Sequence, residues 1–226
     1  KNKIRSSPSG NRHRCLFEDK DGTIWLGGDV NGVDYFNPKI HLFENISPFP
    51  DKMVDMDEIV GRGIAVDQDK KIWMGTHEGV TCYDPNSKKY KIWRNTEKKK
   101  LTIYNNLVRT LLCDAENNIW IGTASGVNRY NNKTQNMEFV DSSQLPLSFY
   151  NSINQDNQGN IWFCTNDTAT LYYYSPVSRK YKSIYDHPVL SQIHGFTPTS
   201  YVYEDSKSRL WISLGRQGVA MYNRTI

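Results

Sequence analysis

The 226-residue sequence predicts an all-β fold, a β-propeller built of about five four-stranded antiparallel blades. A triplet of an apolar residue, Trp and a second apolar residue occurs five times at intervals of 42 to 49 residues, which is the length of one blade. An Asp precedes each of these Trp residues by six positions, and an aliphatic residue and then an aromatic one follow it. The five pairs are Asp19 and Trp25, Asp67 and Trp73, Asp114 and Trp120, Asp156 and Trp162, and Asp205 and Trp211.

The third copy shows how each element follows from its residues. The segment 114–118 is rich in Asp and Asn, which favour tight reversals because their side chains bond nearby backbone and tolerate left-handed dihedral angles. It therefore predicts a hairpin between strands at 109–113 and 119–123. A third strand follows at 127–130. The fourth, around 137–140, alternates more weakly, as expected of an outer edge strand.

The residue two positions after each repeated Trp is small. These residues are Gly27, Gly75, Gly122, Cys164 and Ser213. Alternation along a strand puts them on the same face as the indole, so a large ring beside a small residue makes a step into which a neighbouring sheet can pack. The two apolar residues that flank each Trp lie on the opposite face. A sheet that is apolar on both faces needs a neighbour on either side, and radial stacking of blades supplies both.

The repeats extend over the whole chain, which we interpret as a single propeller domain or fragment, residues 1–226. The predicted blades lie at about 13–46, 60–94, 107–140, 149–184 and 199–226. The last copy lacks its fourth strand, and residues 1–7 could form the outer strand of a neighbouring blade. Two interpretations are open: a five-bladed ring closed through that strand, or an arc of a larger ring.

Charge and composition exclude some classes of function. The formal net charge of +4 comes from basic and acidic residues mixed along the chain, and the single cluster Lys98–Lys100 is too short for a nucleic-acid surface. No apolar run reaches the length of a membrane helix, and no signal peptide is present, so we expect a cytosolic protein or a piece of a longer chain. Four cysteines in four different repeats predict buried free thiols, with a disulfide as the open alternative.

The sequence carries no motif for catalysis or metal binding. Signatures of hydrolases, nucleotide-binding loops and zinc sites are missing, and the histidines lack the spacing of metal ligands. The turn Asp19–Gly22 resembles part of a calcium loop, but no bidentate Glu follows at the required spacing. We therefore predict a binding module without catalytic residues, metal or cofactor.

The hairpins resemble the two-component regulator propeller repeat. The segments that carry the resemblance are Phe17–Gly28, Asp114–Thr123, Gly126–Tyr130, and the lead-ins Asn105–Arg109 and Leu145–Ser148. The resemblance covers essentially the whole chain. The fourth copy departs most from the repeat, because Cys164 and Thr170 stand where the repeat has Gly.

The resemblance implies a place in a larger protein. In this family such repeats form the extracytoplasmic sensor of hybrid two-component histidine kinases. Seven-bladed rings, often two in tandem, precede an immunoglobulin-like domain, a membrane helix and the kinase. The resemblance thus favours an arc of a seven-bladed ring, located in the periplasm as part of an inner-membrane sensor. The implied partners are an oligosaccharide ligand, a second propeller and an immunoglobulin-like domain of the same parent chain, and a second copy in a homodimer.

Candidate ligand-binding residues come from the face that carries the long connections between blades, since variable loops on a rigid scaffold commonly bind ligands. Arg14, Arg62 and Arg109 stand eleven positions before a repeated Trp, and their guanidinium groups are predicted to bind sugar hydroxyls or carboxylates. The alternative is that each pairs with an acidic neighbour or recurs through repeat duplication. The other candidates are Tyr150 and Tyr201, which could stack on a sugar ring, and His77 and Arg216 in turns after second strands.

The favoured function is an extracytoplasmic ligand-sensing segment of a hybrid two-component histidine kinase that responds to an oligosaccharide. The alternative is a propeller that binds another protein through its blade loops. A polysaccharide lyase or a glycosidase is the least favoured interpretation, since a carboxylate pair for glycoside hydrolysis could be assembled only by guesswork.

Overall fold

The computed structural model describes residues 8, 12–28, 32–38, 42–48, 61–96, 102–166, 171–192 and 201–224, with the backbone alone at 42–45 and 216. Within these ranges the chain is all-β, and its strands form five antiparallel sheets, the blades of a propeller. The predicted fold class is confirmed. The outer strand predicted at residues 1–7 lies outside the described residues.

The strands of the five sheets have the following bounds. The first sheet contains β1 (His13–Glu18), β2 (Ile24–Gly28), β3 (Val33–Asn37) and β4 (Leu42–Ile46). The second contains β5 (Gly61–Val66), β6 (Ile72–Thr76), β7 (Gly79–Asp84) and β8 (Lys89–Trp93), and the third contains β9 (Val108–Cys113), β10 (Asn118–Thr123), β11 (Gly126–Asn131) and β12 (Asn136–Phe139). The fourth contains β13 (Tyr150–Gln155), β14 (Ile161–Thr165), β15 (Leu171–Ser175) and β16 (Lys180–Ser183). The fifth contains β17 (Val202–Glu204), β18 (Arg209–Ser213) and β19 (Val219–Asn223).

Strands neighbour one another in chain order in every sheet, so the first and last strands of each blade are its two edges. Short 3-10 turns lie at Ile184–Asp186, Leu190–Gln192 and Gly215–Gln217. Backbone contacts divide the chain into two compact units, residues 1–113 and 114–226.

The Asp that precedes each repeated Trp connects the first hairpin of the blade to its core. One carboxylate oxygen accepts the indole Nε1–H of the Trp six residues later, at 2.8 to 3.0 Å in all five copies. In each copy the other oxygen accepts the backbone N–H groups two and four residues on. The residue between these two N–H groups has a positive φ in every copy. These residues are Gly22, Lys70, Asn117, Gly159 and Ser208. One carboxylate therefore satisfies both a tight turn and a buried indole.

Three of the repeated indoles, those of Trp25, Trp120 and Trp162, pack against apolar residues that flank the Trp of the following blade. In residues 1–113, Trp25 shares a core cluster with Ile72 and Met74. In residues 114–226, Trp120 lies edge-on against Phe163 at 5.4 Å between ring centroids, and Trp162 shares a cluster with Leu210 and Ile212. The predicted two-sided sheets are thus observed, with the indole face of one blade covered by the aliphatic face of the next.

The fifth indole differs from the other four. Trp25, Trp73, Trp120 and Trp162 are buried, whereas Trp211 is half-buried. Among the described residues no blade follows β19 along the chain, so no aliphatic pair equivalent to Leu210 and Ile212 covers the ring. Instead, the Arg209 guanidinium lies over it, 5.2 Å from the ring centroid, and the same Arg pairs with Asp205. Burial of a repeated Trp therefore depends on the neighbouring sheet.

The small residue beside the indole is required for close approach of the next blade. A Cβ added to Gly75 would lie 2.6 Å from Cγ1 of Val108, which is fully buried on the first strand of the third sheet. We expect Gly75→Ala to lower the free energy of unfolding by about 1–3 kcal/mol, because a methyl group cannot be accommodated without displacing β9. Equilibrium chemical denaturation measures this loss.

Val108→Ala provides the matched control, because it removes the γ-methyl groups that the new Cβ would meet. The double variant Gly75→Ala, Val108→Ala is expected to lose less stability than the sum of the two single variants. Additive losses would show that Gly75 is not limited by contact with Val108.

Polar contacts also tie adjacent blades together through their first turns. In residues 114–226, the Arg224 guanidinium donates to Asp156 at 2.7 Å and to Glu204 at 3.1 Å, and all three side chains are largely buried. Glu204 also accepts the backbone N–H of Asn157. In residues 1–113, Lys70 pairs with Asp21 of the preceding turn. These contacts join one copy of the repeat to the next at the end of the sheet where the Asp turns lie.

His187 is held in its neutral form. Its Nδ1 accepts backbone N–H groups from Val189 at 3.2 Å and Leu190 at 3.1 Å, and its ring packs edge-on against Tyr173 and Tyr222. Partial burial, and then the positive charges of Arg224 and Lys182, lower the pKa of His187. Because the pKa is lowered in the folded state, neutral His187 stabilises the fold fully above the unfolded-state pKa of about 6.5. This contribution to stability is lost as the pH falls through the folded-state pKa.

We therefore expect the wild-type chain to lose stability more steeply than His187→Asn when the pH falls from about 7 to 5. An Asn oxygen can accept the same N–H groups but does not titrate in this range. Denaturant unfolding at several pH values compares the two proteins. Parallel stability curves would contradict the assignment.

The cysteines are free thiols. Burial raises the pKa of Cys15 to about 11 and that of Cys82 to about 12. Both thiols therefore stay protonated near neutral pH and act as apolar packing residues.

Candidate functional site

Two of the predicted arginines lie at β-bulges. In the first blade His13 pairs with Gly28 and Cys15 with Gly27, so Arg14 has no partner residue in β2. In the second blade Gly61 pairs with Thr76 and Gly63 with Gly75, so Arg62 is the extra residue. Bulges re-aim side chains and are common at the rims of β structures and beside functional sites. The repeat thus sets these arginines apart from the regular ladder.

Two glycines explain how Arg62 comes between its neighbours. A Cβ on Gly61 would lie 3.2 Å from the carbonyl oxygen of Gly28, the residue opposite His13. A Cβ on Gly63 would lie 3.1 Å from the backbone of Thr110, which follows Arg109. The absence of both side chains lets β5 approach the first blade on one side and β9 on the other. Arg62 is therefore held between the strands that carry Arg14 and Arg109.

The three guanidinium groups act on one another electrostatically. Partial burial lowers the pKa of Arg109, and the positive charges of Arg62 and Arg14 lower it further. Arg14 is exposed, whereas Arg62 and Arg109 are half-buried. Among the described residues, Nε of Arg62 is buried and has no hydrogen-bond partner. We call Arg14, Arg62 and Arg109 the arginine triad.

A carboxylate also lies near the triad. Asp34 is buried, and its Oδ2 lies 4.0 Å from Nε2 of His13, the neighbour of Arg14. The triad together with His13 forms a surface rich in hydrogen-bond donors, which suits carboxylate, sulfate or hydroxyl groups.

The other predicted ligand-binding residues have different surroundings. His77 is half-buried in the turn after β6, and it lies at the same end of the second sheet as Arg62, because Gly61 is paired with Thr76. Tyr201 is half-exposed, and burial, Cys164 and Tyr203 raise its pKa. Both positions are compatible with contact to a ligand.

Tyr150 is a core residue. Its ring is fully buried edge-on against Phe163, and its hydroxyl donates to the backbone oxygen of Pro146. Its ring face is therefore not available for stacking on a sugar, and we do not retain Tyr150 in the candidate site. The side chain of Arg216 lies outside the described residues.

The sequence analysis did not reveal the local backbone geometry of the site. The bulges at Arg14 and Arg62 were not predicted, although the flanking glycines Gly61 and Gly63 are the local signal for such an irregularity. The fourth blade has the same bulge at Asn151, between the pairs of Tyr150 and Ser152. The bulge is therefore a feature of the repeat, and its formation does not require an arginine.

No group of three or more metal-ligating side chains occurs in the ranges that the structure describes. No helix in those ranges is both long and apolar enough to cross a membrane.

Fold and site together define a propeller of short repeats with a cationic cluster on the first strands of its first three blades. Residues 6–29, 105–125 and 144–167 match the family model described as two component regulator propeller. These three segments are therefore similar to the two-component regulator propeller repeat, as predicted from the hairpins. No curated protein matches the sequence.

Solved structures share the fold. The extracellular domain of a protein described as a hybrid two component system from B. thetaiotaomicron is 23% identical, with a TM-score of 0.70, and the match covers 96% of this chain and 29% of that one. Virginiamycin B lyase from Staphylococcus aureus is 11% identical, with a TM-score of 0.67, and the match covers 99% of this chain and 74% of the lyase. PorZ of Porphyromonas gingivalis is 14% identical, with a TM-score of 0.65 and coverage of 96% and 33%.

These identities are low, so the likeness establishes the fold and leaves the chemistry open. The chain spans 29% of the hybrid two component system domain. It is thus similar in fold to a part of that extracellular domain.

Proposed function

We propose that the chain is a ligand-sensing propeller segment in the extracytoplasmic part of a hybrid two-component histidine kinase, and that its ligand is an oligosaccharide. The observation that carries the proposal is the match of three segments to the two-component regulator propeller model. The similarity to an extracellular domain of a hybrid two component system supports it. The segment itself acts as a binding module and not as an enzyme.

The proposal assigns the segment to the periplasm, as part of an inner-membrane sensor. Its partners there are a second propeller and an immunoglobulin-like domain of the same parent chain, and a second copy in a homodimer. A ligand can transmit a signal only if it binds one arrangement of these parts more tightly than another. All five repeated indoles are hydrogen-bonded and four of them are buried, so a change of arrangement between domains costs less than one inside a blade.

The same proposal includes an arc of a larger ring. Its support is that the outward faces of the first and fifth blades are the less buried ones. Ile24 and Leu26, which flank the first Trp, are half-buried, as is Trp211 of the fifth blade. Each of these faces carries apolar residues at the positions that other blades bury by stacking. A further blade on either side would therefore complete the packing.

A binding screen of the 226-residue chain tests the ligand class. We expect saturable binding to at least one oligosaccharide in a glycan array, confirmed by isothermal titration calorimetry and weakened in the unfolded chain. The monosaccharide units of the same glycan should bind more weakly, because they make fewer contacts. If no oligosaccharide binds while a protein other than the parent chain does, the segment is a protein-interaction module and the proposal is wrong.

A further inference from the structure

We infer that the arginine triad is an oxyanion site, and that it binds the acidic group of a negatively charged oligosaccharide. The saccharide part of this inference rests on the proposed function, whereas the anion site stands on the geometry of the triad alone. The site is formed by equivalent positions on the first strands of three consecutive blades, Arg14, Arg62 and Arg109.

The repeat does not require arginine at this position. The equivalent residues eleven positions before the fourth and fifth Trp are Asn151 and Ser200. Asn151 occupies the same bulge as Arg14 and Arg62, so the backbone conformation is compatible with a short neutral side chain. Duplication of a structural residue therefore does not account for three arginines in the first three blades and for none in the next two.

The three arginines also repel one another. Burial and the charges of Arg62 and Arg14 both disfavour the charged form of Arg109, and a negative group bound beside it would offset them. The lowered pKa of Arg109 expresses both effects, burial first and then the charges of Arg62 and Arg14. A bound oxyanion would reverse the sign of the interaction at all three groups.

Arg62 carries a buried donor. Its Nε is buried and, among the described residues, has no hydrogen-bond acceptor. Gly61 lets β5 approach the first blade and Gly63 lets it approach β9, so Arg62 lies between these two neighbours. A buried donor without an acceptor is unfavourable unless a ligand supplies one.

Two acidic groups of saccharides share the required chemistry. A uronate carboxylate is planar and accepts paired N–H bonds from a guanidinium fork, and a sulfate ester is tetrahedral and presents three acceptor oxygens to several donors. Guanidinium groups on three neighbouring strands can bind either. Separate titrations with glucuronate and with sulfate distinguish the two.

The test follows the Nε–H signals of arginine by two-dimensional NMR in the 226-residue chain while glucuronate or inorganic sulfate is added. We expect the Arg62 Nε–H signal, assigned from its absence in Arg62→Asn, to shift saturably with one of these anions. The affinity should fall about tenfold or more in Arg109→Asn. Arg179→Asn, on the exposed turn after β15, is the control and should leave the affinity unchanged. A saturable shift with glucuronate alone, or with sulfate alone, identifies the acidic group. If neither anion shifts the signal saturably, the inference is overturned.

Asn is chosen because Asn151 already occupies this bulge in the fourth blade. Removal of one charge also relieves repulsion, so the thermal unfolding midpoint of Arg62→Asn should be unchanged or higher than that of the wild type. A marked decrease would indicate that Arg62 is a structural residue and would count against the site. Arg62→Lys should bind the anion with intermediate affinity, because it keeps the charge but loses the planar fork.

A second comparison separates this inference from the proposed function. Oligogalacturonates are titrated against the same oligosaccharides after methyl esterification, and sulfated galactan oligosaccharides against their desulfated forms. Binding that requires the charge supports both statements. Equal binding of charged and uncharged forms overturns the anion site but keeps the oligosaccharide sensor. A response to free anions without binding of any oligosaccharide keeps the site and rejects the sensor.

Discussion

Replacing Trp120 with Ala is expected to lower the free energy of unfolding by about 3–5 kcal/mol. The indole is fully buried, lies edge-on to Phe163, and packs near Tyr174 and Tyr181. Its loss removes a large buried ring between the third and fourth sheets and leaves a cavity that β-strands cannot close by small movements. Equilibrium denaturation followed by far-ultraviolet circular dichroism measures the change.

Trp211→Ala is the matched control, since it removes the same side chain from the equivalent position of a blade whose indole is half-buried. Its effect should be clearly smaller, because less surface is lost and solvent already reaches the ring. Equal losses for the two variants would mean that burial by the neighbouring sheet does not determine the contribution of the repeated Trp.

Replacing Asp114 with Ala is expected to lower the free energy of unfolding by about 2–4 kcal/mol. Its carboxylate accepts the Nε1–H of Trp120 at 2.8 Å, the side-chain amide of Asn118, and backbone N–H groups of Glu116 and Asn118. Without it, several donors lose their acceptor at a position that is 7% exposed. Asp114→Asn should show a smaller loss, because it keeps one acceptor oxygen.

Two further variants make this prediction specific. Asp205→Ala removes the equivalent carboxylate from the fifth blade, where water can replace it, and should be less destabilising. In Asp114→Ala combined with Trp120→Phe, both partners of the buried hydrogen bond are removed together. The loss for the double variant should be smaller than the sum of the single losses. An additive result would contradict a direct interaction between the carboxylate and the indole.

Much of the fold was predictable because repetition reveals it. Five copies of one pattern fixed the strands, and the small residue after each Trp indicated the close approach that Gly75 makes to Val108. The Asp was recognised as part of the pattern, but its bond to the indole was not, because spacing alone does not show which side chains converge. Arg224 was also missed: it binds Asp156 and Glu204 from outside the repeated motif, so no periodic signal marks it.

The candidate site was only partly predictable. Periodicity identified Arg14, Arg62 and Arg109 as equivalent, and the structure adds that Arg14 and Arg62 lie at bulges and that the three charges act on one another. It also separates Tyr150 from the site. A Tyr in a strand is either a packing residue or a contact residue, and the difference depends on which face the next blade covers. This difference depends on tertiary packing and cannot be predicted from the sequence of one strand.

Solvent exchange of the indole Nε1–H protons tests most directly whether the carboxylate-bound, sheet-covered Trp is the unit that builds this propeller. We expect slow exchange for Trp73, Trp120 and Trp162, which are buried and hydrogen-bonded to Asp67, Asp114 and Asp156, and faster exchange for Trp211. In Asp114→Ala, the indole proton of Trp120 should become labile while those of the other buried Trp residues stay protected. Rapid exchange of all the repeated indoles in the native chain would contradict this expectation.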